Sequence, residues 1–328
     1  MSLPADFVSA VNQLIPAPRR FDDPLSTLAF GTDASFYRLI PKLVVRVNAE
    51  HEVVALLQLA GKHRVPVTFR AAGTSLSGQA ISDSLLIVLG DGWNRRDILD
   101  NGARIRLQPG VIGAQANAAL APLGRKIGPD PASINACKIG GIVANNASGM
   151  CCGTAQNSYK TLNAMRLVLA DGQVLDSEDP ASVAAFSSRH SELLEQLAQL
   201  GRDTRANSPL AERIRHKYRM KNTTGLSLNA LVDFDDPLDI LTHLMVGSEG
   251  TLGFISSVTY NTVPEYPHKA TTLVVFGNVE DCCRAAVETA AGGCGGITRP
   301  AQYTIGGRPT RPASLGKSSV RRCLCLTD

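Results

Sequence analysis

The sequence predicts a layered fold of mixed strands and helices, α/β or α+β, on three observations. Short apolar runs of strand length alternate with segments whose apolar residues recur at helical spacing. Asp171-Gly172 stands between two apolar runs and supplies the positive φ angles of a tight hairpin. The chain has 328 residues, enough for one large or two ordinary domains, each with its own core.

In chain order, residues 44–47 read as a strand, and 50–64 as a helix that lines up Val53, Leu56, Leu57 and Ala60. A second strand, 65–69, runs straight into the loop Ala71-Ala72-Gly73-Thr74-Ser75-Leu76-Ser77-Gly78-Gln79. Strands at 85–89 and 104–107 and a helix at 113–121 lead to a stretch, 128–153, dense in Gly, Pro, Asn and Ser. The hairpin joins 162–169 to 174–175. Helices at 190–200 and 209–216, a loop at 221–228 and a helix at 237–244 precede Val246-Gly247-Ser248-Glu249-Gly250-Thr251-Leu252-Gly253-Phe254-Ile255, which enters a strand alternating through Val258 and Tyr260. Pro264 and Pro267 mark a boundary. Beyond it, 272–276 reads as a strand and 279–291 as a helix, the start of a second domain; there is no internal repeat.

Composition removes several classes of function. No apolar run reaches the ~18 residues of a membrane span, and the first twenty residues lack the apolar block of an export signal. Eight cysteines in a chain of this length read as cytosolic thiols, and neither their spacing nor that of the six histidines offers a C-x-x-C or H-x-H site, so no metal or iron–sulfur cluster is expected. The net charge of +4 is unevenly spread: residues 291–328 hold six basic residues and one acid, leaving 27 basic and 28 acidic residues before them. With Tyr303 as the tail's single aromatic and no basic stripe in the body, nucleic-acid binding is not expected. The tail lacks apolar periodicity and differs in composition from the rest, which predicts an aberrant or disordered segment over 291–328.

The loops carry the chemistry. Glycines directly after a buried strand let backbone N–H groups converge on a phosphate, although a plain strand-exit turn would have the same composition. Gly78 is followed by Gln79 and not by a lysine, which excludes a P-loop; Gly73 and Gly78 are five apart, which excludes a Rossmann fingerprint. In the second loop, prolines stiffen the approach at Pro129 and Pro131, while Gly140, Gly141 and Gly149 leave room for a flat ligand or a diphosphate. Ser133, Asn145 and Asn146 add hydrogen-bonding groups, unless the asparagines cap their own backbone.

Three segments in order, FRAAGTSLSGQA, GPDPAS followed by KIGGIVANNASG, and VGSEGTLGFI, resemble the FAD-binding domain of the vanillyl-alcohol oxidase (PCMH) type, in its D-lactate and D-2-hydroxyacid dehydrogenase branch. The resemblance covers roughly residues 20–290. It implies an α+β fold with FAD subdomains at 1–110 and 111–265, followed at 266–290 by the start of a ferredoxin-like α+β cap that the tail leaves incomplete. It further implies that Arg70, Ala71, Gly73, Thr74, Ser75, Gly78 and Gln79 surround the pyrophosphate, and that Pro129, Asp130 and Ser133 lie beside the ribityl chain and flavin. Gly140, Gly141, Asn145, Asn146 and Gly149 would line flavin and diphosphate, with Glu249, Gly250 and Ile255 near the adenosine half. The first loop has no histidine to tether the flavin, so FAD is expected to be non-covalent.

The implied reaction is oxidation of a D-2-hydroxy acid, D-lactate to pyruvate first, by hydride transfer to flavin. Arg219, Lys221 and Asn222 are the candidates for meeting the substrate carboxylate, against a bland reading as a charged helix end and loop. The alternative is a non-catalytic FAD-binding subunit working with a separately encoded partner. The electron acceptor would be a quinone, a cytochrome or an iron–sulfur protein. The expected location is the cytoplasm, free or at the inner membrane face.

Overall fold

The computed structural model describes residues 2–149, 151–268 and 274–291. Two compact units divide the chain at residue 269. The first opens with a four-stranded sheet: β1 (Arg20–Phe21), β2 (Leu43–Val47), β3 (Val67–Arg70) and β4 (Leu85–Leu89), in the order β1-β2-β4-β3. β2 and β3 flank β4 in parallel, and β1 adds antiparallel at the edge. All five residues of β4 are buried, so this strand needs cover on both faces. One face receives α1 (Ala5–Leu14) and α3 (Glu50–His63), whose Phe7, Val11, Val53 and Leu56 pack with Leu85 and Ile87. On the other face, Val44, Leu86 and Val88 meet Phe21 and Phe30, which lies just after α2 (Pro24–Ala29).

The second sheet is antiparallel throughout: β5 (Arg96–Leu99), β6 (Arg104–Leu107), β8 (Leu162–Leu169), β9 (Val174–Asp176) and β10 (Gly253–Asn261), in the order β5-β6-β10-β8-β9. β7 (Arg125–Lys126) and β11 (Val263–Pro264) form a separate pair. The two-residue period of a strand divides the central β8–β10 pair between two cores. Leu167, Ile255 and Val258 face the larger core with α4 (Gly113–Leu120), α5 (Ile139–Asn145) and α11 (Pro237–Met245), whereas Val168 and Phe254 face the N-terminal core. Phe254 packs between Trp93 and Phe69, with ring centroids 5.2 Å from each. At the same seam, Arg166 donates to both carboxylate oxygens of Glu50 at 2.8 Å, and Ser256 Oγ adds a further bond.

The helices between β7 and β10 are α5, α6 (Ser158–Thr161), α7 (Pro180–Arg189), α8 (Ser191–Ala206), α9 (Ser208–Lys217), α10 (Ala230–Asp233) and α11. Asp23, Asp179 and Asp236 each precede a proline and cap the helix that follows; two of these helices, α2 and α7, are not among those expected from the sequence. α5 departs from expectation. The stretch 128–153 reads as irregular, yet Ile139, Ile142 and Val143 at helical spacing bury one face and outweigh two glycines in the first turn. α8 runs six residues beyond the expected helix end, to Ala206, and buries Gly201 and Thr204. Among the described residues, no helix is long and apolar enough to cross a membrane.

The second unit contributes α12 (Val279–Ala291), capped by the Asn278 side chain, which accepts the Asp281 N–H at 2.8 Å. Of the strand expected at 272–276, Thr272 and Leu273 lie outside the described residues, and Val274, Val275 and Phe276 form no strand. Of the aberrant tail expected at 291–328, Ala291 ends α12 and 292–328 lie outside the described residues.

Phe254 is 4% exposed and lies in the N-terminal core, on a strand whose other face belongs to the larger one. Phe254→Ala should cost about 3–5 kcal/mol through the cavity it leaves. Urea unfolding followed by tryptophan fluorescence, which reports on the adjacent Trp93, measures this; an unchanged midpoint would contradict the assignment.

Candidate functional site

Phe69 ends the apolar part of β3 and Phe254 begins that of β10, so the Phe69–Phe254 contact brings the first and third glycine loops together. A Cβ built on Gly250 would stand 3.6 Å from the Phe69 ring. The second loop joins through α5. Ala144 accepts the Glu249 N–H at 2.9 Å, Val143 accepts the Gly247 N–H at 3.2 Å, and Asn145 Nδ2 donates to Glu249 Oε1 at 2.5 Å. Burial pushes the Glu249 carboxyl up, partly offset by that amide. A Cβ on Gly141 would meet only the Ala71 side chain, at 4.0 Å, leaving a gap between the first loop and the α5 surface.

Within the first loop, Gly73 and Gly78 have φ of +70° and +77°, the left-handed values that favour glycine. Ser75 Oγ bonds the Gln79 side chain. Arg70 is 8% exposed and committed to closing the loop: Nε donates to Ala80 O at 2.7 Å and Nη2 to Phe30 O at 3.0 Å. Burial lowers its pKa, and Asp33 opposes that.

Asp130 organises the second loop. Its carboxylate accepts N–H groups from Gly149 at 2.9 Å, Cys151 at 2.8 Å and Cys152 at 3.2 Å. Burial would raise this carboxyl; the bonds from Cys152, Cys151 and Gly149 outweigh it and hold it below the usual carboxylate range. Gly149 has no room for a side chain, since a Cβ would overlap the Asp130 backbone. Asn146, at φ +52°, ends α5, and its side chain accepts the Tyr159 N–H of α6 at 3.3 Å, a bond that reaches outside the 128–153 loop. Pro129 is buried, and the Ser133 carbonyl accepts the N–H groups of Ala136 and Cys137 at 2.7 and 2.8 Å. Gly140 packs on Pro109, and Ile255 lies in the larger core opposite Leu167.

The loop after α9 also reaches this place. Lys221 Nζ donates to the Ser148 carbonyl, Ser227 Oγ donates to Val246 O at 2.6 Å, and the Gly225 carbonyl packs on Gly247. Arg219 is exposed, and Asn222 accepts from Thr224 Oγ1 at 3.3 Å. Sequence reasoning missed Ser148, which is 6% exposed with a buried hydroxyl that has no partner. It also missed Phe69, which reads as ordinary strand filling. The converging loops bring together glycine backbone, hydroxyls and one lysine, groups suited to a flat or anionic ligand. Among the described residues no group of three or more His, Cys, Asp or Glu could hold a metal ion.

Residues 41–178 match the family described as an FAD binding domain. The chain is 30% identical over 261 residues to the glycolate oxidase subunit GlcD of Escherichia coli (strain K12), covering 79% of this chain and 42% of that protein. It is 27% identical over 248 residues to the D-2-hydroxyglutarate dehydrogenase of Pantoea ananatis, covering 72% and 24%. It is 28% identical over 252 residues to the D-lactate dehydrogenase of Archaeoglobus fulgidus, covering 76% and 44%. The chain therefore spans less than half the length of each of these relatives. Among solved structures it is similar to alkyldihydroxyacetonephosphate synthase, with a TM-score of 0.53 and 18% identity over 80% of this chain and 40% of that one, a likeness of fold.

Cys152 is buried and its thiol is pushed up to about 11, first by burial and then by Asp130, whereas Cys151 is exposed. Iodoacetamide at neutral pH should therefore modify Cys151 well before Cys152. Asp130→Asn, which replaces one acceptor with a donor, should release the loop and expose Cys152, as read by peptide mass mapping. Because the folded Asp130 pKa is depressed, its contribution is complete above ~4, the ordinary value for Asp, and is lost as pH falls through the folded value. Equal protection of Cys152 in both proteins would refute this role.

Proposed function

The chain carries a PCMH-type FAD-binding domain, and from that premise we propose that it serves the oxidation of a D-2-hydroxy acid, with D-lactate to pyruvate as the first candidate. The single observation behind the reading is the convergence of the three glycine loops, the second and third through the Asn145–Glu249 hydrogen bond and the first and third through the Phe69–Phe254 ring contact of their strands. FAD fits the residues present. The buried Ser148 hydroxyl lacks a partner, and the gap over Gly141 is one that a side chain would fill.

In this reading, residues 1–110 and 111–265 form the two FAD subdomains, and 266–290 begin a cap. Backbone N–H groups of the loop from Ala71 to Gln79 bind diphosphate oxygens, with Thr74 and Ser75 offering hydroxyls. Gly140, Gly141 and Gly149 keep side chains out of the ligand's path, while Asp130 fixes the backbone around Gly149. Glu249 and Gly250 sit toward the adenosine half. When bound, FAD would supply the two-electron acceptor for the hydride leaving the substrate's α-carbon, while a general base takes the hydroxyl proton. Lys221, Asn222 and Arg219 meet the substrate carboxylate by charge and hydrogen bonding. Lys221 suits this role because its bond to Ser148 O holds the ammonium at the second loop. Electrons then pass to a quinone, cytochrome or iron–sulfur partner. The E. coli relative is itself named a subunit, which favours a second reading as an FAD-holding subunit with a separate partner.

The purified chain should show flavin absorption, release its FAD on denaturation, and be bleached by D-lactate or another D-2-hydroxy acid under anaerobic conditions. Absence of flavin from protein refolded with FAD would defeat the cofactor assignment. Bound flavin that no hydroxy acid bleaches would favour the subunit reading.

A further inference from the structure

Residues 31–39 fold back on themselves beside the first glycine loop. Leu39 N–H donates to Gly31 O at 3.1 Å, and Thr32 pairs antiparallel with Arg38. The sequence Asp33-Ala34-Ser35 makes the turn, because Asp33 Oδ1 accepts the Ser35 N–H at 2.8 Å and Ser35 Oγ accepts the Tyr37 N–H at 3.2 Å. Its tip touches the loop in three places. Ala34 N–H donates to Gly73 O at 2.9 Å, Asp33 Oδ2 accepts the Ala80 N–H at 3.4 Å, and Tyr37 covers Gly78 so closely that a Cβ there would come within 3.0 Å of its ring. Arg70 closes the bracket by holding Ala80 O and Phe30 O at once. Both left-handed glycines of the loop are therefore braced, Gly73 by Ala34 and Gly78 by Tyr37.

We propose that Asp33 is a positioning residue for the cofactor: through the 31–39 turn it holds the loop from Ala71 to Ala80 in the shape that receives a diphosphate. The inference rests on the FAD reading and adds a residue outside all three glycine motifs. A loop of small residues pays conformational entropy when its N–H groups converge on an anion. Bracing the loop in advance removes part of that cost. Asp33 supports both sides of the bracket, making the turn with one carboxylate oxygen and holding the loop's far end with the other.

The test compares two ligands that differ in the diphosphate. Asp33→Ala should weaken FAD binding about tenfold while changing riboflavin binding less than about twofold, both by fluorescence titration. Asp33→Asn keeps an acceptor for Ser35 but puts a donor opposite the Ala80 N–H, so it should show the same preference and serves where the alanine variant fails to fold. In flavin-free protein, amide exchange over 71–80 should accelerate in the variants and stay unchanged in Leu85–Leu89. Equal losses for FAD and riboflavin, an unchanged FAD affinity, or unaltered exchange over 71–80 would each overturn the proposal. A wild-type chain that binds neither flavin would instead defeat the FAD reading, with exchange still reporting on the brace.

Discussion

Phe254 between Phe69 and Trp93 is the contact on which the rest of the arrangement depends. One glycine loop follows Arg70 at the end of β3, next to Phe69, and another leads into Gly253 at the start of β10, next to Phe254. A loop of small residues cannot bury enough apolar surface to fix its own shape, so its geometry is borrowed from the elements at its ends. Burial of both faces of β8–β10 provides that anchorage, with one face in each core.

Once the ends are fixed, polar contacts set the interior of each loop. Asp130 gathers three N–H donors that would otherwise be left unpaired in a half-buried turn. Asn145 and Glu249 link two loops, and the left-handed backbone of Glu249, at φ +52°, turns its side chain toward that bond. Such a conformation carries a strain cost in a non-glycine residue, which the bonds to Ala144 and Asn145 help offset. The three loops thus form one mechanical unit, although long stretches of sequence separate them.

The backbone shape of the glycine loops was legible from residue type. Gly73 and Gly78 are left-handed, and Gly149 meets backbone where no side chain fits. Other roles were not legible. Asp130 and Asn146 are expected beside the ligand, and the fold engages each with a backbone N–H far along the chain, Gly149 for Asp130 and Tyr159 for Asn146. Arg70 is expected among the residues around the pyrophosphate, and only the fold shows its guanidinium donating to the Ala80 and Phe30 carbonyls. Ser148 is inconspicuous in sequence, because only packing can bury a hydroxyl and leave it without a partner.

The sequence by itself determined where the central strands, several of the helices and the glycine loops lie, because periodicity and Asp-Gly turns act over a few residues. It also carried the likeness to FAD-binding domains, in the order of three short motifs. Tertiary structure decided which face of β8–β10 meets which core, that Ile139, Ile142 and Val143 make a helix inside an apparently irregular stretch, and that a turn at Asp33 braces a loop forty residues away. Those outcomes depend on surfaces that meet only when distant segments are packed together, and no local pattern encodes which surface will be opposite.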